Sequence, residues 1–323
     1  MYSNNFVSQK KQDGSNEPYT NDGPKVSVGL AVYNGENYVA QSIESILNQT
    51  LSDLELIITD NASTDRTSEI CKAYAEKDNR IKYHRNATNI GAVRSENLAF
   101  SMSHGKYFQW LGHDDFCAPE SLTECVSVLE SDNSVVLCQP SVIEIDGSGN
   151  SVGLGPWCDA SSYFAHERFR NVIKMDHKCY EFYGVIRSEI LRKSREQQVY
   201  VDSDRTLLSE LALYGRFHRL KKDLFFRRIH PQKSTILFPS WRDRMIWYDP
   251  VYKTKLSFPF WMQFADYLRR IYRVKLSYLE KIRCYYCMIG WLREGHGKSM
   301  VKDILIVIQK IFFRAISWVQ LKI

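Results

Sequence analysis

The sequence predicts an α/β fold in which a parallel sheet carries helices on both of its faces. In the first 130 or so residues, four apolar runs typical of strands are each followed by a segment whose apolar residues recur at helical spacing. Polar residues typical of loops and helix starts separate the members of each pair. This strand and helix alternation favours parallel neighbours in the sheet over hairpins.

The first pair begins with VSVGLAV, residues 26–32, where Val and Leu alternate with small residues as in a strand buried on at least one face. The following helix is predicted from four apolar positions: Val39, Ile43, Ile46 and Leu47. Their spacing places them on one helical face. Asn34 is expected to be the N-terminal cap of this helix, because Asn is favoured there.

The next three pairs follow directly. LELIITD ends at Asp60 and precedes a helix marked by Ile70, Ala73 and Tyr74. IKYHR precedes a helix at residues 92–101. KYFQWLG precedes a helix that should start at Pro119, since Pro is favoured at the first helical position.

The second half is mixed. SVVLCQP and SVIEI are predicted as two short strands in quick succession, followed by the turn-rich DGSGN. The segment YEFYGVI comes later. A helix is predicted from about Ser203 to Gly215, and the strand-like DLFFRRI follows it.

Polar residues stand at the ends of three predicted strands. They are Tyr33 and Asn34, Asp60 and Asn61, and Asp114 and Asp115. Since ligands of open α/β sheets bind beyond the carboxyl ends of the strands, these residues should face one crevice. Adjacent carboxylates there suit a divalent cation whose other ligands are phosphate oxygens. The alternative is that Asp114 and Asp115 only cap the next helix.

Five motifs, in this order, resemble those of family 2 glycosyltransferases, which have the GT-A fold, a Rossmann-like fold of nucleotide-diphospho-sugar transferases. The motifs are VSVGLAVYNGENYVAQSIESILNQT, LELIITDNASTDRT, NIGAVRSEN, YFQWLGHDD and SDRTLLSELALYGRF. We therefore expect a GT-A domain at residues 24–238 and a helical extension at residues 239–323. The resemblance implies transfer of a sugar from a nucleotide diphosphate sugar to a hydroxyl of a glycan or lipid-linked acceptor. It also implies inversion at the anomeric carbon and a bound Mn²⁺ or Mg²⁺.

By position, the resemblance assigns nucleotide binding to residues at the strand ends and in the loops after them. These residues are Val32, Tyr33, Asn34, Asp60, Asn61, Asn89, Gly91, Arg94, His113 and Asp114. Asp60 would face the base, and Arg94 is the obvious cation of its loop. Asp114 and Asp115 match the acidic motif for metal and ribose, and His230 is a candidate third metal ligand.

The resemblance also places a catalytic base at the start of a helix in the second half. VDSDRTLLSEL supplies Asp202 and Asp204, and Asp204 matches better. An inverting displacement needs such a base to take the proton of the attacking hydroxyl. The alternative is a carboxylate stabilised by the positive end of the helix dipole.

The motifs depart from the common family pattern at three places. AVYN stands for PTYN, Asn61 stands for a second acid, and GHDD stands for DADD, so Gly112 replaces the first acid. Because this acid is missing, a non-catalytic nucleotide-sugar-binding or scaffold protein remains an alternative. A nucleotidyltransferase is a further alternative, although the early Gly-rich triphosphate loop is missing.

The region from Pro239 to the end is basic and aromatic, with 16 Lys and Arg against 6 Asp and Glu. Its last segment predicts an amphipathic helix, with Lys302, Asp303, Lys310 and Arg314 opposite Ile304, Ile308, Ile311, Phe312 and Ala315. Such a helix suits peripheral contact with an anionic membrane. Packing on the transferase domain or on a second subunit is the alternative. Nucleic acid is not an expected partner, because no recognition module accompanies the charge.

Composition bounds the remaining possibilities. With 44% hydrophobic residues, the 323-residue chain can bury a large core. Residues 1–23 are polar and lack a secretory apolar stretch, which predicts a flexible tail. Eight cysteines without paired spacing, apart from Cys284 and Cys287, favour reduced thiols. We therefore expect a cytoplasmic protein, at the inner face of the membrane if the last helix binds lipid.

Overall fold

The computed structural model describes residues 23–174 and 177–320, and in this part of the chain nine strands form one mixed sheet. The strands are β1 Val26–Val32, β2 Leu54–Asp60, β3 Ile81–Arg85, β4 Tyr107–Gly112, β5 Phe116–Cys117, β6 Val135–Ile145, β7 Ser151–Leu154, β8 Val185–Arg187 and β9 Arg216–Arg228. Their order is β3-β2-β1-β4-β8-β6-β9-β5, and β7 pairs with β6. The first four strands are parallel, as predicted. The tail expected at residues 1–23 lies outside the described residues, apart from Gly23.

Helices cover both faces of the sheet and form the C-terminal region. They are α1 Val39–Leu47, α2 Thr67–Ala75, α3 Ala92–Ser101, α4 Ser121–Ser131, α5 Ala165–Ile173, α6 Ser188–Lys193, α7 Ser203–Tyr214, α8 Ser234–Leu237, α9 Trp241–Tyr248, α10 Pro259–Arg273, α11 Tyr278–Trp291 and α12 Gly297–Gln320. Two 3-10 turns lie at Tyr180–Tyr183 and Pro250–Lys253, and a π turn lies at Leu292–His296. The predicted α/β architecture with a helical extension is confirmed.

Three local predictions were wrong. SVVLCQP and SVIEI form the single strand β6, which runs through Pro140 because the pairing with β9 is irregular there. The helix predicted to start at Pro119 is α4, which begins two residues later at Ser121. Asn34 does not cap α1, whose N-cap is Tyr38. Asn34 instead takes a left-handed conformation with φ 52°.

The core lies on both faces of β4, because alternate residues of a strand point to opposite sides. Tyr107 and Leu111 pack with β1, α1 and α4 on one face. Phe108 and Trp110 pack on the other face with Leu207, Leu208 and Leu211 of α7. Burying each of these large side chains contributes about 1.5 to 3 kcal/mol. The apolar pattern thus fixes β4 at the centre and directs its polar end, from Gly112 onward, to the sheet edge.

The C-terminal helices are joined to this core by a buried ion pair network. Arg270 of α10 is fully buried, and its guanidinium donates to Glu210 of α7 at 2.5 Å and to Asp266 at 2.9 Å. Tyr200 donates to the same Asp266 carboxylate at 2.7 Å. Removal of one partner from such a network leaves a buried charge uncompensated, at a cost of about 3 to 5 kcal/mol. The C-terminal region therefore packs tightly on the sheet domain.

The amphipathic pattern of α12 is oriented differently from the prediction. Asp303 is buried, and its carboxylate accepts from the backbone N–H of Phe260 at 2.9 Å. Burial raises the pKa of Asp303 to about 6. Ile304 and Ile308, expected on the apolar side, are exposed. The side chains of residues 310–320 lie outside the described part of the chain, in which no helix combines the length and the apolar character needed to cross a bilayer.

The loop between β3 and α3 touches the C-terminal region at Gly91. Gly91 has φ 88°, and a Cβ placed on it would lie 2.1 Å from the backbone oxygen of Tyr248. The neighbouring Arg94 donates to Asp249 at 2.6 Å. Only glycine fits this position, because both the backbone angles and the close approach exclude a side chain.

We expect the Gly91→Ala substitution to destabilise the fold. Backbone strain at a positive φ costs about 1 to 3 kcal/mol, and the contact with Tyr248 adds to it. The matched control is Gly290→Ala in α11, where an added Cβ meets no atom within 4 Å. Thermal unfolding should show a clear fall in Tm for Gly91→Ala and no fall for Gly290→Ala. Equal Tm values for both variants would contradict the close contact.

Candidate functional site

A cavity of about 670 Å³ opens at the carboxyl ends of β1, β2 and β4. Eight of the predicted site residues line it: Val32, Tyr33, Asn34, Asn61, Asn89, His113, Asp114 and His230. Five others lie outside its lining: Asp60, Gly91, Arg94, Asp115 and Asp204. The predicted strand ends therefore do converge, but their side chains fall into two groups.

The end of β1 is held to the loop after β2 by backbone and side-chain hydrogen bonds. The Asn34 Oδ1 atom accepts from the N–H of Thr64 at 2.8 Å, and the N–H of Gly35 donates to the Thr67 hydroxyl at 2.8 Å. Asn34 therefore positions this loop as well as lining the cavity. Tyr33 is 42% exposed and presents its ring to the cavity entrance.

Asp60 is fully buried, and its carboxylate is already occupied by partners from the chain. One oxygen accepts from the Tyr83 hydroxyl at 2.8 Å and from Arg85 at 2.9 Å. The other accepts from the N–H of Ser63 at 2.8 Å. Asp60 thus fixes the β2 and β3 ends together, and its contact with a base stays a prediction.

Side-chain amides set the shape of the loop after β3. Asn61 donates to the Asn89 Oδ1 atom at 3.0 Å and accepts from Asn86 at 3.0 Å. Asn89 also accepts from the N–H of Gly91 at 2.9 Å. Arg94, expected as the cation of this loop, forms an ion pair with Asp249.

Asp114 and Asp115 face different sides of the β4 end. Asp114 lines the cavity, where its Oδ2 atom lies 3.0 Å from His230 Nε2 and accepts from Lys233 at 3.2 Å. Asp115 is 1% exposed and turns toward β9. Its Oδ1 atom accepts from the N–H of Arg228 at 2.9 Å, and its Oδ2 atom lies 3.5 Å from Arg227.

Gly112 stands where the family has a further acid, and the geometry explains the small residue. A Cβ at Gly112 would lie 2.8 Å from Asp115 Oδ2 and 2.9 Å from Asp114 Oδ1. A third carboxylate here would also add negative charge to a buried acidic pair, which is costly. The two remaining acids therefore occupy the space of the missing one.

The two carboxyl groups have opposite pKa shifts. Burial alone would raise the pKa of Asp114, but the His230 hydrogen bond and the charge of Lys233 hold it well below its usual range. Burial and the charge of Asp114 raise the pKa of Asp115. Asp114 is consequently the ionised acid that faces the cavity.

The residues near Asp114 fit a divalent ion only in part. Within the described ranges, no three His, Cys, Asp or Glu side chains cluster closely enough to hold a metal. Asp114 and His230 reach the cavity together, while the Lys233 ammonium competes for the same carboxylate oxygen. Mg²⁺ and Mn²⁺ sites that take one carboxylate usually rely on substrate phosphates for further ligands. This donor set fits that type of site.

Asp204 lies in the first turn of α7, after Asp202 in a left-handed conformation. Its Oδ1 atom accepts from the N–H of Arg205 at 2.8 Å. Burial, with a smaller effect from the charge of Asp202, raises the pKa of Asp204 to about 6. The cavity residue Arg227 lies near enough for its charge to lower that pKa slightly. Asp204 thus lies within electrostatic reach of the cavity wall without being part of its lining.

Glu96, in the motif NIGAVRSEN, lines the cavity but is not among the residues predicted from the sequence. Burial and the charge of Asp204 raise the pKa of Glu96 to about 8. The signal was helical spacing, because Ala92, Ser95 and Glu96 occupy one face of α3 and all line the cavity. The aromatic residues Trp110, Tyr183 and Trp247 were also missed as cavity residues.

Comparison with solved structures supports the fold. The chain is similar to S. aureus TarS 1-349 in complex with UDP-GlcNAc, with TM-score 0.60 and 16% identity, over 84% of this chain and 73% of that one. It is also similar to the mannosyltransferase PcManGT from Pyrobaculum calidifontis in complex with GDP-Man and Mn²⁺. That match has TM-score 0.54 and 14% identity, over 88% of this chain and 74% of that one. The fold is therefore GT-A.

Sequence relatives give the family. An uncharacterized glycosyltransferase of Methanocaldococcus jannaschii is 40% identical over 40% of this chain and 45% of its own length. Chondroitin synthase of Escherichia coli is 26% identical over 66% of this chain and 30% of its own length. The chain thus spans less than half of the length of these two relatives. Residues 27–194, more than half of the chain, match the model described as Glycosyl transferase family 2, and the chain belongs to that family.

Proposed function

We propose that this protein is an inverting glycosyltransferase that moves a sugar from a nucleoside diphosphate sugar to a hydroxyl of a glycan or lipid-linked acceptor. The observation that carries the proposal is the cavity at the β1, β2 and β4 ends, where ionised Asp114 stands beside Lys233, His230 and Arg227. Family membership supports the donor class, and one structural neighbour is named with UDP-GlcNAc and another with GDP-Man.

The cavity offers distinct surroundings to the parts of such a donor. Tyr33, Asn61 and Asn89 form its nucleoside end, at the loops after the first three strands. Lys233 and Arg227 supply positive charge for the diphosphate. A preorganised cation near a departing phosphate stabilises the charge that develops in the transition state.

A divalent ion would be held by Asp114 and His230, completed by diphosphate oxygens. When bound, it would supply neutralisation of the charge on the departing diphosphate. Asp115 would act indirectly, because its bonds to β9 hold the segment that carries His230 and Lys233.

Asp204 is proposed as the base. As the acceptor oxygen forms a bond to the anomeric carbon, the bond from that carbon to the phosphate oxygen breaks and its electron pair leaves with the nucleoside diphosphate. The acceptor proton passes to the Asp204 carboxylate. With a pKa of about 6, Asp204 is mostly ionised at neutral pH and can take that proton.

We expect Asp204→Asn to lower kcat by about 10² to 10⁴-fold, since a positioned base contributes about that much. Donor binding should survive, because Asp204 is outside the cavity lining. The matched control is Asp202→Asn, which changes the neighbouring acid. In the wild type, kcat should rise with pH through about 6, because the ionised form is the active one. Retained turnover in Asp204→Asn would remove it as the base.

Turnover of the wild type itself separates the catalytic proposal from its main rival. Nucleotide-sugar binding without transfer or donor hydrolysis would favour a non-catalytic binding protein.

We expect Asp114→Asn to abolish the effect of Mn²⁺ on UDP binding. In the wild type, chelation of Mn²⁺ should raise the calorimetric Kd for UDP tenfold or more, because Asp114 would hold an ion that neutralises charge on the diphosphate. In the variant, Kd should be the same with and without Mn²⁺. The control is His84→Asn on β3, which removes a titratable side chain outside the cavity lining. An equal Mn²⁺ effect in wild type and Asp114→Asn would exclude Asp114 as a ligand.

A second proposal concerns the exposed side of α11. Tyr278, Leu279, Ile282, Tyr286 and Ile289 are all exposed there, opposite the buried Cys284, Met288 and Trp291. Exposed Arg283 and Arg293 accompany them. Tyrosines with basic neighbours are typical of the interface of anionic membranes. We propose that this α11 surface binds such a membrane peripherally, where a lipid-linked acceptor would be found.

We expect Leu279→Ser combined with Tyr286→Ser to weaken binding to vesicles of phosphatidylcholine and phosphatidylglycerol about tenfold or more. Burial of the Leu279 side chain in the membrane alone would contribute about 1.5 to 3 kcal/mol to binding. Leu154→Ser on β7 is the control, because Leu154 is 66% exposed and Leu279 is 65% exposed. Cosedimentation measures the binding. Equal binding to pure phosphatidylcholine, or an unaffected double variant, would contradict the proposal.

A further inference from the structure

Glu96 is the acidic side chain that α3 presents to the cavity. Ala92, one helical turn earlier, and Ser95, the preceding residue, line the same cavity. The backbone oxygen of Glu96 accepts from the Trp110 indole at 3.2 Å, which ties this turn of α3 to β4. The backbone is therefore anchored while the side chain remains available.

The carboxyl of Glu96 has no protein partner among the residues that the structure describes. No hydrogen bond or ion pair with it is formed, whereas Asp60, Asp114 and Asp115 are each bound by several groups. Glu96 is half-buried and lines the cavity, so its carboxyl is available to hydrogen-bond a ligand there.

Charged and titratable groups from three other elements face Glu96. Asp204 of α7 is near enough to raise its pKa, after the larger effect of burial. Tyr183 and Tyr248 lie near enough for the charge of Glu96 to raise their pKa values, which burial already raises. With a pKa of about 8, Glu96 is mainly a neutral acid at pH 7. A neutral acid can both donate and accept a hydrogen bond.

Aromatic rings line the same cavity as this carboxyl. Trp110 lines the cavity and stacks on Phe182 with ring centroids 4.5 Å apart, which fixes the indole. Tyr183 and Trp247 line the same cavity. A sugar ring offers apolar C–H faces to aromatic rings and hydroxyls to a carboxyl, so this combination suits a pyranose.

We propose that Glu96 is a specificity-determining residue that hydrogen-bonds the sugar ring of the donor. The inference rests on the proposed function, because it assumes a nucleoside diphosphate sugar in this cavity. Asn89, Ala92 and Ser95 place the start of α3 beside the proposed nucleoside end. Glu96 is further along the same helix, which is where the sugar of that donor would lie.

The test compares each sugar nucleotide with its own nucleoside diphosphate by calorimetry. The probes are UDP-GlcNAc, UDP-glucose and UDP-galactose against UDP, and GDP-mannose against GDP. The ratio of the two Kd values isolates the contribution of the sugar. We expect Glu96→Ala to reduce the largest wild-type ratio tenfold or more, while the affinity for UDP or GDP alone is unchanged. The control is Glu76→Ala, an exposed acid after α2.

Glu96→Gln and the pH of the measurement report the protonation state. Gln is neutral and can donate and accept, so this variant should keep most of the sugar contribution. In the wild type the ratio should fall as pH rises through about 8, because ionised Glu96 no longer donates. The Glu96→Gln ratio should not follow pH in this way.

The outcomes separate the two proposals. A wild type that binds none of the nucleotides contradicts the proposed function. A wild type that binds UDP or GDP, but gains nothing from any sugar, overturns the role of Glu96. An unchanged ratio in both Glu96 variants also overturns that role, even if the variants lose turnover with an acceptor.

Discussion

The contact between the acidic end of β4 and the end of β9 is the constraint on which the cavity depends. Two neighbouring buried carboxylates would repel one another, and isolating such charges from water costs several kcal/mol each. Residues 227–233 supply the compensation: Arg227, the N–H of Arg228, His230 and Lys233 all meet Asp114 or Asp115. This segment is brought there by the long pairing of β9 with β6. The charge of the site therefore requires the whole sheet.

The cavity also depends on the part of the chain after the family match, including the C-terminal helices. The match to the family ends at residue 194, yet the later chain supplies Arg227, His230, Lys233 and Trp247 to the cavity wall. Tyr248 and Asp249 also fix the loop at Gly91 and Arg94. The segment matched to the family thus builds the strand ends with their acids, while the later chain adds Arg227, Lys233 and part of the cavity wall.

The sequence predicted the parts of the fold that depend on local pattern. The four strand and helix pairs and α7 were correct, because apolar period and buried face are properties of neighbouring residues. Side-chain partners were not predictable in this way, since they depend on distant segments. Arg94 meets Asp249, which is 155 positions later in the chain. Asp114 and Asp115 look equivalent in the sequence, and their different partners on residues 227–233 distinguish them in the fold.

Glu96 and Asp204 show how distant segments also assign chemical roles. Burial raises the pKa of both carboxyl groups, and the charge of Asp204 raises the pKa of Glu96 further. Their pKa values of about 8 and about 6 mean that at neutral pH the pair holds one proton, mainly on Glu96. Carboxyl groups whose environments separate their pKa values take different roles in catalysis. At neutral pH Asp204 is then mainly ionised, as its proposed role as base requires, while Glu96 is mainly protonated, as its proposed hydrogen bond to the donor sugar requires. The two proposed roles therefore require opposite protonation states, which these environments favour between about pH 6 and about pH 8.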